Sequence, residues 1–276
     1  MKRVVSLQDL SCIGKCSQTV ALPVLSIMGV ECVALPTALL SAHTAFPDFF
    51  VRDLTDCIAP IAAHWKSLGL RFDTIYTGYL SSEAQICLAE RLFDEYPDAL
   101  RVVDPVMADF GRLYTGFSAD FPEKMRALCR RANVITPNVT EACLLTGLPY
   151  REHLTRDEVH ALLEALLALG TDTAILTGVA LDDGMATAVM ERGGTPILYT
   201  TEHIGGVFHG TGDLFSGVCV GALTLGLPAT HAVRLAADHV VKTLRLTVQD
   251  PKRRWYGVNF EQTLPLLAEI GKEFPR

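Results

Sequence analysis

An α/β fold, a three-layer αβα sandwich around a mainly parallel sheet, is the architecture the chain predicts, and three observations point to it. Short runs rich in β-branched residues recur along the first two thirds of the chain, with helical spacing in the intervals between them. Strands alternating with helices build βαβ units, which makes the sheet parallel and covers both of its faces. Polar clusters follow the strands one after another, as expected where ligands bind beyond the carboxyl ends of a parallel sheet.

The predicted strands are Val4–Leu7, Glu31–Leu35, Thr74–Thr77, Leu100–Val103, Val134–Thr136 and Thr173–Thr177. Helical spacing is plainest in Leu54-Asp56-Ile58-Ile61-Ala62-Trp65-Leu68, closed by Gly69. Met185–Glu191 and Pro196–Thr201 flank Arg192-Gly193-Gly194-Thr195, which reads as a hairpin turn and predicts a small antiparallel edge. Beyond it the pattern is helical through Leu214–Leu225, Ala229–Thr247 and Phe260–Lys272. No internal repeat, low-complexity tract or Pro/Gly/Ser-rich linker divides the chain, so residues 1–276 are expected to form one domain.

A chain of 276 residues with 49% hydrophobic content can bury a full core without staples. Its net charge of −7 is spread over interspersed signs, and the one compact basic run, Lys252-Arg253-Arg254, reads as a solvated loop cluster, so no nucleic-acid partner is expected. The amino terminus turns polar too early for a signal-peptide core, and no apolar run approaches the roughly 18 residues of a membrane span. Eight cysteines are scattered, and the close pair Cys12 and Cys16 has no second pair to complete a zinc site. They are read as reduced thiols of a cytosolic protein.

The strand ends carry Gln8-Asp9, Ser41-Ala42-His43-Thr44, Gly78-Tyr79, Asp104-Pro105 and Thr136-Pro137-Asn138, and one crevice would collect them. Ser11-Cys12-Ile13-Gly14-Lys15-Cys16-Ser17 is not a P-loop: Asp9 stands where the leading glycine belongs and Cys16 replaces the hydroxyl that would hold magnesium. Gly210-Thr211-Gly212-Asp213 is not a dinucleotide fingerprint, since Phe215 occupies the third glycine position. Its glycines do leave successive N–H groups free at the start of the helix from Leu214, which makes an anion hole. Asp213 there is either a cap or a base that takes a proton from a substrate hydroxyl. A carboxylate beside a phosphate needs a counter-charge, so a cation is implied. Asn138 and Glu141, three apart and sharing one helical face, are either an N-cap and capping box or ligands suited to magnesium. Asp104 and Asp109 add carboxylates near the same sheet edge, where strand-end aspartates also serve as turn caps.

In chain order, Asp104-Pro105-Val106-Met107 with Tyr114, then Thr136-Pro137-Asn138-Val139-Thr140-Glu141, then Gly210-Thr211-Gly212-Asp213, resemble the ribokinase-like superfamily and, within it, the vitamin B6 kinases. Ser6-Leu7-Gln8, Ser41-Ala42-His43-Thr44 and Thr77-Gly78-Tyr79-Leu80 extend the resemblance over nearly the whole chain. The resemblance implies ATP-dependent phosphorylation of the 5′-hydroxymethyl group of a B6 vitamer. Asp213 would be the base and Gly210, Thr211 and Gly212 the anion hole. Asn138 and Glu141 would organise magnesium, with Asp104 and Asp109 helping to place metal and phosphates; a monovalent cation is a further candidate. Thr136 and Thr177 would lie along ATP, while Asp9, Ser11, Thr44 and Tyr79 would line the B6 pocket. Tyr114 would sit on a loop that closes over the site, and a homodimer is expected.

Two departures bear on this. Asp9 stands where many members carry Ser; a carboxylate there could pair with a protonated pyridine nitrogen or an amine, favouring pyridoxamine. Ala108 replaces a usual glycine and puts the local loop shape in question, while His43 and His209 flank functional segments and read more readily as structural. The rival readings are a hydroxymethylpyrimidine or sugar kinase of the same superfamily, and a non-catalytic nucleotide or B6-phosphate binder.

Overall fold

The computed structural model describes residues 1–182 and 184–270. Its strands are β1 (Arg3–Ser11), β2 (Glu31–Leu40), β3 (Val51–Asp53), β4 (Thr74–Thr77), β5 (Leu100–Val103), β6 (Ala108–Asp109), β7 (Arg112–Leu113), β8 (Val134–Ile135), β9 (Thr173–Leu181), β10 (Gly184–Glu191) and β11 (Ile197–Thr201). The helices are α1 (Gln18–Ile27), α2 (Thr55–Ser67), α3 (Glu83–Glu95), α4 (Phe121–Cys129), α5 (Val139–Thr146), α6 (Arg156–Leu167), α7 (Thr211–Thr224) and α8 (Ala229–Gln249). Nine strands form one sheet in the order β11-β10-β9-β8-β5-β4-β1-β2-β3. It is parallel from β9 to β2, with β10 and β11 antiparallel at one edge and β3 at the other.

Alternation along the strands sends neighbouring residues to opposite cores. Val5, Ile75, Val103 and Ile135 pack with the buried faces of α2 to α6. Val4, Tyr76, Val102 and Val134 pack with α1, α7 and α8 on the other side. Each fully buried aliphatic side chain contributes about 1.5–3 kcal/mol, so both layers are held by the same apolar burial. The three-layer sandwich and the antiparallel edge predicted from the sequence are both present.

Some boundaries differ from the sequence reading. β1 runs on to Ser11, so Gln8 and Asp9 lie within the strand and not after it. The β1/β2 register slips there, from Gln8 opposite Pro36 to Leu10 opposite Leu39, and a slip of this kind re-aims side chains beside a site. The helix expected over 260–272 is two short 3₁₀ turns, Phe260–Gln262 and Leu264–Leu267, the second with Pro265 at its second position; Gly271 and Lys272 lie outside the described residues. Proline removes an N–H and leaves no long α-helical ladder at that point. β3 and the β6/β7 hairpin went unpredicted, because two- and three-residue strands carry no periodic signal.

Candidate active site

The start of α7 is built around a glycine that no other residue could replace. Gly210 sits at φ 81°, and a Cβ on it would lie 1.8 Å from the Lys15 carbonyl oxygen. No side chain caps the helix, so the first-turn N–H groups stay available to an anion. A Cβ at Gly212 would meet nothing within 4 Å, leaving open space over those groups. Thr211 turns its hydroxyl back to the Phe208 carbonyl at 3.4 Å. Asp213 stands in this first turn, where burial raises its carboxyl to about 6, against the pull of the Ser17 backbone N–H and with the help of the Asp9 charge.

A second acid faces the same place from the sheet. Asp104 follows β5, is buried, and accepts a 2.7 Å hydrogen bond from the Ser216 hydroxyl of α7. Burial raises it to about 7, and the charge of Asp213 adds to the shift. Glu141 is buried, and desolvation together with the Asp104 charge pushes it well above the usual carboxylate range. Asn138 and Glu141 form the full capping box of α5: Asn138 Oδ1 accepts from the Glu141 N–H at 2.9 Å, and Glu141 Oε2 accepts from the Asn138 N–H at 3.0 Å. Glu141 Oε1 also accepts from the Met107 N–H at 3.0 Å, and Asn138 Nδ2 donates to the Ala108 carbonyl at 2.8 Å. The cap and the acid that the sequence offered as alternatives are thus one pair, and it ties α5 to the loop after β5.

Asp109 is exposed in β6, where its Oδ1 accepts from the Phe110 N–H at 2.9 Å. It opens a two-residue turn, Phe110 and Gly111, with φ of 48° and 75°, the positive values a tight hairpin requires. Ala108 therefore does not disturb the hairpin. Tyr114 follows it, half-exposed, and its phenol is pushed upward by burial and by the charges of Glu141, Asp109, Asp213 and Asp104. One side chain thus feels all four acids. Thr177 in β9 packs against the start of α5 through its N–H to the Pro137 carbonyl at 2.9 Å.

On the other side of Asp213, Asp9 is buried and accepts a 2.8 Å hydrogen bond from the Ser11 hydroxyl. Burial raises its pKa, while the hydroxyls of Ser17 and Ser11 and the nearby His43 act to lower it. Tyr79 faces it; burial first, then the Asp9 charge, raises the phenol. Thr44 is exposed on the loop after β2. Gln8 Oε1 within β1 and Thr77 Oγ1 at the end of β4 are buried without hydrogen-bond partners, and Thr136, just after β8, lies close enough to Asp104 for its hydroxyl to lower that carboxyl's pKa. Buried polar atoms such as these, near the strand ends that carry the acids, suit a polar ligand.

Sequence reasoning missed Ser216 and Ser17. Ser216 is three residues beyond Asp213 on an otherwise apolar helix and looks like a small core residue. Ser17 occupies the position before α1 at φ 48°, ψ −127°, and makes no capping hydrogen bond of its own; only that strained backbone signals its use elsewhere. Among the described residues, no three His, Cys, Asp or Glu side chains are gathered closely enough to hold a metal unaided. No helix of the described residues is long and apolar enough to cross a membrane.

Comparison with known proteins fits this geometry. The family model for phosphomethylpyrimidine kinase matches residues 26–255. A pyridoxine/pyridoxal/pyridoxamine kinase of Bordetella pertussis is 29% identical over 264 residues, 88% of this chain and 89% of its own. The crystal structure of pyridoxal kinase from Lactobacillus plantarum is 32% identical, covers 99% of both chains and superposes with a TM-score of 0.91. A Bacteroides thetaiotaomicron structure bearing the phosphomethylpyrimidine kinase name, in a form with pyridoxal, is 37% identical over 96% of this chain and 95% of its own, with a TM-score of 0.91. The chain belongs to the phosphomethylpyrimidine kinase family of the ribokinase-like superfamily, on its vitamin B6 kinase branch.

Proposed function

We propose that the protein transfers the γ-phosphoryl group of ATP to the 5′-hydroxymethyl group of a vitamin B6 vitamer: pyridoxal, pyridoxamine or pyridoxine. The observation that carries this reading is Asp213 inside the anion-binding turn of α7, with a carboxyl raised to about 6. Such a group is ionised at neutral pH yet close enough to it to accept a proton readily. Asp213 takes the proton of the acceptor hydroxyl as its oxygen bonds to the γ-phosphorus; the bond to the bridging oxygen breaks and ADP leaves. The N–H groups of Gly210, Thr211 and Gly212 face the charge carried by the transferred group.

The donor set fits a hard divalent cation, because the carboxylates of buried Asp104 and Glu141 and of partly buried Asp213 are oxygen donors whose charge burial penalises. Asn138 and Glu141, whose oxygens accept the capping-box bonds, would hold magnesium through water, with Asp104 and Asp109 on the phosphate side. When bound, it neutralises phosphate charge and orients the transfer. Asp9, Ser11, Thr44 and Tyr79 line the acceptor side, and Thr136, Thr177 and Tyr114 the nucleotide side. The reading also carries a monovalent cation, tested by potassium dependence of turnover, and a homodimer in the cytosol, tested by sedimentation equilibrium and cell fractionation.

The family match to phosphomethylpyrimidine kinase favours a second reading, the same chemistry on hydroxymethylpyrimidine. An ADP-release assay across pyridoxal, pyridoxamine, pyridoxine and hydroxymethylpyrimidine separates the two. Turnover confined to the B6 vitamers supports the first; turnover confined to the pyrimidine replaces it, and none at all makes the protein a binder.

A further inference from the structure

His43 lies where four segments meet. Its backbone N–H donates to the Ile13 carbonyl at 2.9 Å, and its ring fills the space over Gly14, where a Cβ would lie 2.4 Å from His43 Cδ2. Ring contacts reach Phe46 at 5.0 Å, His209 at 5.0 Å and Trp255 at 5.9 Å between centroids. His209 immediately precedes Gly210 of the anion turn, and Thr44 follows His43 in the acceptor loop.

The hydrogen bonds fix the form of the ring. Nδ1 accepts from the Ala45 N–H at 3.1 Å, so it carries no proton. Nε2 lies 3.1 Å from the Tyr256 carbonyl, which can only accept, so Nε2 carries the hydrogen. One neutral tautomer satisfies both partners; the other, and the imidazolium, each set an N–H against an N–H at Ala45 or leave the Tyr256 carbonyl unpaired.

We propose that His43 is a positioning residue for the acceptor, a single-tautomer joint that fixes the Thr44 loop against the anion turn and the Trp255-Tyr256 segment. Protonation of the ring breaks the Ala45 bond and loosens the joint. The titratable groups facing the ring are His209 from the anion turn and Asp9 from β1; Trp255, Phe46 and Gly14 add none, and Tyr256 faces it through its carbonyl. Burial, the largest effect, already holds the ring toward its neutral form, and the His209 charge acts the same way.

The inference rests on the kinase reading for its kinetic arm only. Trp65 and Trp255 are the two tryptophans, so in a Trp65→Phe background the emission reports Trp255 alone. Emission should fall as pH is lowered through a midpoint below the ordinary histidine value, and this step should be absent in Trp65→Phe/His43→Gln. The same step in both, or in neither, overturns the joint whatever the enzyme phosphorylates. In the kinetic arm, His43→Phe should raise the acceptor KM about tenfold, the loss of two half-buried hydrogen bonds, with kcat within about twofold and the ATP KM unchanged. His43→Gln, which keeps one acceptor and one donor, should restore the acceptor KM. An unchanged acceptor KM in His43→Phe, or a loss confined to kcat, contradicts the proposal.

Discussion

The Ser216 hydroxyl donates to Asp104 Oδ2 at 2.7 Å, joining the helix that carries Asp213 to the end of β5. Both residues are buried, so the bond sets the spacing between Asp213 and Asp104, whose carboxyl the Asp213 charge pushes further up. Ser216→Ala leaves the Asp104 carboxyl without this donor. Urea denaturation at neutral pH should show a loss of about 1–3 kcal/mol; an unchanged midpoint would mean that the bond does not hold the helix.

Asp213 sets the acid limb of turnover. The carboxyl must be ionised to accept a proton, and it titrates at about 6, so kcat should fall by about tenfold per pH unit below that value. A kcat profile flat from pH 7 to pH 5 would remove Asp213 from the chemistry.

The same group has a stability signature of definite sign. Its folded pKa of about 6 lies above the ordinary 3.8, so the folded state binds a proton more readily than the unfolded chain. The ionised form therefore costs stability above the folded pKa, and that cost fades as pH falls through 6 toward 4. Asp213→Asn, which has no charge to bury, should be about 1–3 kcal/mol more stable than the native protein at pH 8. The difference should shrink as pH falls through 6 and vanish only below about pH 4 in denaturant titrations. A destabilised Asn variant at pH 8 would contradict the desolvation account.

Glu141→Gln separates the cap from the cation. The amide oxygen can still accept from the Met107 N–H or the Asn138 N–H, so folding should survive with a loss near 1 kcal/mol. The magnesium concentration needed for half-maximal turnover should rise by roughly tenfold or more, since residues that hold a metal through its bound water or its ligands carry about that much. Unchanged magnesium dependence would leave Glu141 as a cap alone.

Asp9→Ser tests the acceptor pocket. A carboxylate held by the Ser11 hydroxyl, with Ser17 beside it, is suited to a cationic ring nitrogen or amine. The ratio of kcat/KM for pyridoxamine over pyridoxal should drop by about tenfold in Asp9→Ser, and an unchanged ratio would rule out Asp9 as the discriminating group.

Much of this was legible in the sequence for a physical reason. Runs such as Thr74–Thr77 and Leu100–Val103 are strands because both faces are buried, and that leaves a continuous apolar or β-branched signal. Gly210 was legible because its φ and the Lys15 carbonyl both exclude a side chain. Asp9 was misplaced beyond β1 because a polar residue inside a strand looks like a strand end, and the slipped register that accommodates it has no local pattern. Ser216, Ser17 and the His43 joint depend on contacts between segments up to 213 residues apart, which spacing cannot show. The capping box at Asn138 and Glu141 could be read, but its second bond to Met107 could not.

The central claim is that Asp213 is the base for phosphoryl transfer to a B6 hydroxymethyl group. Single-turnover transfer from γ-labelled ATP to pyridoxal, run beside ADP titration calorimetry on native protein and Asp213→Asn, tests it most directly. The account predicts labelled pyridoxal phosphate from the native enzyme, a rate at least about a hundredfold lower for Asp213→Asn, and ADP affinity within about twofold for both. A comparable transfer rate in Asp213→Asn would contradict it.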